Sequence, residues 1–494
     1  MPEVNTTQAE EAGAVHDQQA VRYVDLAIYD EVLPSPASPF RTLEYGHYLS
    51  FFDRSALVSL EAWHHRFAHP GFGKMAETLA VPDVAKGKIL PINQESNLVP
   101  RLAYVTFLNN AWALFPHFKE RDLPFILQLY PGGGFAPNVA ESDERLRTLL
   151  ESPLCRRVIA TQSLTRDYLL GPMGYAAEKI EMIYGGVFES HVEFDFTRDK
   201  KRFGTHKDTI DVCFVAYRYG PDTSQKGYDQ FVEVARLLAP SDPRLRFHVV
   251  GGFRPEDEPL GEVADRFSFH GIQQGEFFAE FYPRMDVILS PNRPISGHAG
   301  PFDGFPTGAC MEAGFRGVLN CIADPLSLNV AFEDGRDILI IDRDAPRTAE
   351  RLRALFADPD RLYALAEANC RRFRHVFDIN AQLMARTRII VAELLKTEQL
   401  VIRPTAITST AVANRIFSAF ALAEDCERRL GNLVTEYRKL ADAYEKSGAD
   451  YALVAAALRE EQALNARPLL VGTKRRIKRL VERVTGRSGQ GGQR

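Results

Sequence analysis

Two stretches of this sequence hold residue types and spacings that could do chemistry. In FVAYRYGPDTSQKGYDQFVEVARLL, Arg218 stands in the loop after an apolar run and Lys226 stands at the start of the next helix. A helix start offers unpaired N–H groups and a partial positive charge. Two added cations make such a place suited to a diphosphate. Two solvated cations on a surface loop would have the same spacing. The second stretch is NRPISGHAGPFDGFPTGACMEAGFRGVLNCIAD. Here Gly304 and Gly308 would let backbone N–H groups approach a ligand closely. A helix begins near Thr307, with Glu312 on its first turns. An ionised carboxylate has two acceptor oxygens, so Glu312 could take two ribose hydroxyls and Asp303 could take sugar hydroxyls. An acid near a helix start also serves the helix alone.

Those residues need strands and helices to position them. Apolar runs at 21–30, 102–110, 124–130, 156–162 and 179–186 are nearly continuous rather than alternating. This suits strands covered on both faces, as in a parallel sheet. Amphipathic stretches between them point to βαβ units. Residues 191–209 are polar without a period and read as a linker. A second series follows, with strands at 210–217, 245–252, 266–271, 286–291, 318–323 and 338–342. In the helix 226–239, Phe231, Val234, Ala235 and Leu238 fall on one face. Asp344 is placed to cap one helix, and Asp358-Pro359 to start another that runs to about 375. A further helix spans 381–400. The expected fold class is α/β, with two doubly wound, Rossmann-like domains facing a cleft and a helical C-terminal extension. The expected boundaries are a disordered 1–20, a first domain at 21–190, a linker at 191–209 and a second domain at 210–380. A crossover helix at 381–405 and an extension at 406–494 complete the chain. In open α/β sheets ligands bind at the carboxyl ends of the strands.

With the motifs placed, the second half resembles the retaining glycosyltransferase family 4, which has the two-domain GT-B fold. Lys226-Gly227 resembles the family's KG pair, with Arg218 before it. DGFPTGACMEAG resembles its Glu–seven residues–Glu motif. FHVVGG, FHG, DVILSP and FEDGRDILII follow the family's order, so the likeness covers roughly 210–390. There are two departures. The first carboxylate is Asp303, with eight residues rather than seven before Glu312. Arg218 lies eight positions before Lys226, so the YGPDTSQ loop is long.

The resemblance implies Arg218, Lys226, Asp303 and Glu312 as the catalytic set. It implies Gly227, Gly271, Gly304, Phe305, Pro306, Thr307, Gly308 and Ala309 as donor-binding positions. The donor substrate would be a nucleoside diphosphate sugar, with no separate cofactor and no metal. The reaction would transfer sugar to a glycan or lipid-linked glycan with retention. A nucleotide-sugar epimerase, a phosphorylase or a non-catalytic scaffold using the helical tail are the alternatives. The first half resembles the family less. In QLYPGGGF, Gly133 and Gly134 could approach the acceptor or donor sugar, or simply make a tight turn. His64, His65 and His69 read as surface or core histidines, and the YGGV at 184–187 as structural.

Bulk properties bound the rest. The chain has 494 residues, 45% hydrophobic and 25% charged, with a formal net charge of −5. This length suggests two or three domains. The charge gives no reason to expect nucleic acid. The start, MPEVNTTQAEEAGAVHDQQ, is not a secretory signal. No stretch reaches the ~18–20 apolar residues that span a bilayer. A cytoplasmic protein is expected, peripheral at the inner face of the membrane if its tail binds lipid. The six cysteines are scattered without a CxxC pair, which argues against structural zinc. Residues 411–465 are helical by propensity and could mediate an oligomer. Residues 470–494 hold eight Lys or Arg and one acid, Glu482. Within 474–487, Ile477, Leu480, Val481 and Val484 share a helix face. This segment could lie on an anionic membrane, dock on an acidic partner, or be a solvated helix end.

Overall fold

The structure, a computed structural model, describes residues 21–35, 38–61, 71–218, 222–294 and 302–396. The expectations for 1–20, for His64, His65 and His69, for 411–465 and for 474–487 lie outside the described residues.

The first sheet has seven strands: β1 (Arg22–Asp30), β2 (Ser55–Ser59), β3 (Ile89–Pro91), β4 (Leu98–Thr106), β5 (Phe125–Leu129), β6 (Cys155–Ala160) and β7 (Ile180–Met182). Their order is β3-β2-β1-β4-β5-β6-β7, and every pairing is parallel. Between them run α1 (Pro39–Phe51), α2 (Phe72–Thr78), α3 (Asp83–Lys86), α4 (Leu108–Glu120), α5 (Ala140–Glu151) and α6 (Ser163–Leu170). All five residues of both β2 and β5 are buried, as sheets covered on both faces require.

Three expectations change here. The strands β2 and β3 were not anticipated. The strand expected at 102–110 ends at Thr106. Phe107 turns the chain at a φ of 75°, and Leu108, Ala111, Leu114 and Phe118 then bury one face of α4. The segment 191–209 is not a bare connector. It holds α7 (Phe196–Asp199), capped by the Asp195 carboxylate, and Lys200 is fully buried just after it. Arg374 donates to the Phe194 carbonyl at 2.9 Å, and Lys201 N–H donates to the Pro283 carbonyl at 3.0 Å. These contacts fasten the segment to the second sheet. Its scattered aromatics do the anchoring, which hides it from a reading based on polarity.

The second sheet has six parallel strands: β8 (Ile210–Val215), β9 (Leu245–Val250), β10 (Phe267–Phe269), β11 (Val287–Ser290), β12 (Leu319–Ala323) and β13 (Leu339–Ile341). Their order is β10-β9-β8-β11-β12-β13. Its helices are α8 (Tyr228–Leu238), α9 (Glu276–Phe281), α10 (Gly308–Phe315), α11 (Ala345–Phe356) and α12 (Pro359–Val376). Phe231, Val234, Ala235 and Leu238 form the buried face of α8, at the spacing read from sequence. Asp344 and Asp358 accept from the N–H groups of Arg347 and Arg361, so both act as helix caps. In each sheet the order reverses beside its first strand, at β1/β4 and at β8/β11. Such reversals leave crevices at the carboxyl ends of the strands.

The chain then returns to the first sheet through α13 (Ile379–Lys396). Ile390 and Leu394 join the apolar cluster of Leu26, Ile28, Leu102 and Tyr104. Arg386 is fully buried. It donates to Gln128 Oε1 at 2.7 Å, to Gln382 Oε1 at 2.7 Å and to the Gly185 carbonyl at 3.1 Å. The Glu44 carboxylate is 3.8 Å away and also fully buried. It accepts from Tyr48, Tyr104 and Gln128. Among the described residues no helix is long and apolar enough to cross a membrane.

Removing one partner of a buried ion pair leaves an uncompensated charge and costs about 3–5 kcal/mol. Arg386→Met is therefore expected to lower the unfolding free energy measured by urea titration by that order. The double change Arg386→Met with Glu44→Gln should recover a large part of the loss. A double variant as unstable as the single one would show that the charge pairing is not what matters.

Candidate functional site

The carboxyl ends of β8 and β11 carry both motif stretches. Lys226 closes the turn before α8, and Gly227 follows at a φ of 74° as its N-cap. A Cβ at Gly227 would meet the Pro291 carbonyl oxygen at 2.1 Å, so only glycine fits between α8 and the end of β11. This close approach puts Lys226 beside the loop after β11. Its ammonium pairs with Asp303, at 2.8 Å from Oδ1 and 2.6 Å from Oδ2. The Lys226 side chain keeps 17% of its surface exposed and Asp303 keeps 35%, so the pair is partly open to solvent. Two residues 77 positions apart thus form one charge unit at the mouth of the crevice.

Arg218 lies on the opposite side of the same turn. Its guanidinium pairs with Asp257 at 2.6 Å and rests over the Phe253 ring. Asp257 also accepts from the Arg254 N–H at 2.7 Å. Gly271, after β10, sits at a φ of 68° with open space where a Cβ would be. Its carbonyl accepts from the Gly251 N–H.

The loop 302–307 leads into α10. Thr307 is the N-cap and makes no side-chain cap bond, so the N–H groups at the start of the helix are not taken up by its hydroxyl. The first sheet holds this loop from the other side. Gln162, just after β6, accepts from the Phe305 N–H at 3.3 Å. A Cβ on Gly304 would come within 3.0 Å of Gln162 Nε2, and one on Gly308 within 3.2 Å of the Phe188 ring. Phe302 meets Phe135 edge to face at 6.1 Å. Phe305 and Phe302 are buried in this contact.

Glu312 lies one turn into α10, half-buried. Among the described residues its carboxylate accepts no hydrogen bond. Burial pushes its pKa above the usual carboxylate range, and the Arg316 guanidinium offsets this in part. Nearby, burial and the Glu312 charge push the Tyr282 phenol up. A desolvated carboxylate with unused acceptor oxygens is poised for hydroxyl donors.

The turn Pro131–Gly134 ends β5. Gly132, Gly133 and Gly134 all have positive φ. A Cβ at Gly133 would overlap Phe107, and one at Gly134 would lie 1.9 Å from Asn109. Gly133 and Gly134 are required by packing against the start of α4, which accounts for them without a ligand, while a Cβ at Gly132 would meet open space. Gly185 in the YGGV turn is likewise required by Phe377.

Sequence reasoning missed several groups at this crevice. Gln162, at the end of β6, was legible only as a polar residue at the carboxyl end of a strand. A second charged cluster stands at the carboxyl end of β1. Arg41 pairs with Asp30 at 2.7 Å and Glu31 at 2.8 Å, and Asn110 donates to Glu31. Burial raises the Glu31 pKa, while Arg41 opposes the rise. Its neighbour Phe40 touches Tyr130 and Phe188, which ties α1 to the crevice. No group of three or more His, Cys, Asp or Glu residues placed to hold a metal ion occurs among the described residues. The described cysteines are buried and unbridged.

No protein-family model and no curated protein matches the chain. Solved structures match it in fold. Sucrose-phosphate synthase from Thermosynechococcus elongatus aligns with a TM-score of 0.56 at 14% identity, over 76% of this chain and 100% of that one. A glycosyltransferase from Rickettsia africae aligns at 0.53 and 14%, over 76% and 99%. HepE from Anabaena, solved in complex with UDP-glucose, aligns at 0.52 and 13%, over 74% and 99%. The chain has the GT-B fold: two parallel Rossmann-like sheets with a helix that returns to the first.

The raised Glu312 pKa sets a stability test. Above its folded pKa the buried charge opposes folding in full; below the ordinary value of 4.5 the carboxyl is neutral in both states and the penalty is gone. Glu312→Gln should therefore raise the melting temperature at pH 7.5. The gain should shrink as the pH falls toward 4.5. A gain that is absent at pH 7.5, or that grows on acidification, would contradict this account.

Proposed function

We propose that this chain is a retaining sugar transferase of the family 4 type. It moves a sugar from a nucleoside diphosphate to a glycan or lipid-linked glycan hydroxyl. The observation that carries the reading is the Lys226–Asp303 pair, set beside the uncapped start of α10 with Glu312 one turn further on. Cations and helix N–H groups suit a diphosphate, and carboxylates suit sugar and ribose hydroxyls. All three types converge at one sheet reversal. The fold supports the reading, since HepE holds UDP-glucose within the same architecture. A UDP-sugar is the first donor to test.

In this reading the leaving diphosphate gains charge as the sugar departs. Lys226 and the N–H groups of Gly308 and Ala309 stabilise that charge. Each well-aimed donor of this kind is worth roughly 2.7–4 kcal/mol. Asp303 holds the Lys226 ammonium in place before the donor arrives and then turns to sugar hydroxyls. Glu312 takes the ribose. Gln162 brings the first domain onto the loop at Phe305 and so closes the crevice. The charge of the diphosphate is met by side chains and backbone, without a metal. The basic segment 474–487 is proposed to meet anionic lipid at the cytoplasmic face, where a lipid-linked acceptor would lie.

Lys226→Ala and Glu312→Ala should each lower donor turnover by about 10²–10³-fold while the protein stays folded, as judged by nucleoside diphosphate release and a cooperative melt. Wild-type turnover in both variants would remove the reading. The Arg218–Asp257 pair gives a separate check. Asp257→Asn releases the guanidinium, so UDP should bind several-fold more tightly by calorimetry. Unchanged affinity would take Arg218 out of the diphosphate site.

A further inference from the structure

A cavity of about 510 Å³ opens over the carboxyl ends of β11, β12 and β13, between α8 and α11. It is separate from the Arg218 and Gly271 side of the sheet. It shares Asn292, Ala323, Asp324 and Pro325 with a small hollow behind Asp303–Thr307. One continuous wall therefore runs from the Lys226–Asp303 pair to α11. The size falls in the range of small-ligand sites, roughly 300–1,000 Å³.

The lining indicates what the cavity holds. Pro291, Pro325 and Ile340 supply apolar surface, while Asn292, Arg343 and Thr348 supply polar groups. Thr348 is 1% exposed, and its hydroxyl has no hydrogen-bond partner among the described residues. Buried polar atoms of this kind call for a ligand with hydroxyls, since leaving them unmet is costly. The charges in the lining balance. Arg347 pairs with Asp342 and Arg351 with Asp334, so no strong field favours an anion. An apolar ligand would leave Thr348 and Asn292 unmet. A neutral sugar ring has hydroxyls around its edge and C–H groups on its faces, and it satisfies both sets.

We propose that this cavity is a glycan subsite that holds neutral sugar units of the acceptor beside the donor loop. The proposal rests on the transferase reading and adds the class of acceptor to it. It assigns acceptor contacts to the second domain, in addition to any at the Glu31–Arg41 cluster.

Calorimetry on the full chain tests it, with maltotriose, cellotriose, chitotriose and a heparin-derived tetrasaccharide as probes. At least one neutral trisaccharide should bind. Thr348→Val and Arg343→Ala should each weaken that binding at least about fivefold, the worth of one hydrogen bond, and leave UDP affinity unchanged. Thr348→Val keeps the shape of the side chain, so a loss of binding will not come from misfolding, and its melting temperature checks this. The proposal is overturned if no neutral trisaccharide binds, if binding ignores both substitutions, or if only the heparin fragment binds. If UDP fails to bind the wild-type chain while a trisaccharide still depends on Thr348, the donor reading falls and the glycan site stands.

Discussion

A fully buried guanidinium organises this molecule. Arg386 lies on the last described helix, yet its partners are Glu44 on α1, Gln128 on β5 and the Gly185 carbonyl after β7. Each charge is solvated by protein dipoles: four side-chain or backbone acceptors face the arginine, and two phenols and an amide face Glu44. Such an arrangement costs a great deal to break and little to keep. It forces the chain to leave the second sheet and dock back on the first. Arg157 with Glu393 at 3.1 Å, and Arg101 with the Leu394 carbonyl at 2.9 Å, extend the seam.

Docking the helix brings the two sets of carboxyl strand ends together. The loop 302–307 is then touched from both sheets, by Lys226 on one side and by Gln162, Phe135 and Phe188 on the other. Two glycines, Gly304 and Gly308, sit where those contacts are tightest. Each motif cation is held by a carboxylate, Arg218 by Asp257 and Lys226 by Asp303. Glu312 makes no such ion pair among the described residues, and Arg316 offsets only part of the cost of its burial. Unsatisfied and desolvated groups are tolerated where a ligand repays them. The same logic marks the cavity beside α11, where the Thr348 hydroxyl is left unmet.

Much of this was readable in advance, because periodicity and local chemistry act over a few residues. Continuous apolar runs foretold parallel strands. The spacing of Phe231, Val234, Ala235 and Leu238 foretold the buried face of α8, and Asp344 and Asp358 announced two helix starts. Lys226-Gly227 could be placed at a helix start for the same reason. Two short strands escaped: β2 and β3 owe their existence to the neighbours they pair with rather than to any pattern of their own. The segment 191–209 looked like a connector because its anchors, Phe194, Phe196 and Lys200, are scattered among charges.

The sequence by itself therefore determined the two αβ series, their helix caps and the residue types available for a diphosphate and a sugar. Those properties are local, and a short window of chain contains their cause. Only the tertiary structure decided which charges meet. Lys226 and Asp303 are 77 positions apart, and Arg386 and Glu44 are separated by most of the described chain. Their pairing depends on sheet order and on the return of α13, which no local pattern encodes. Gly133 and Gly134 after β5 show the same division: their positive φ belongs to a turn, but the reason no side chain fits is Phe107 and Asn109 pressing from another element.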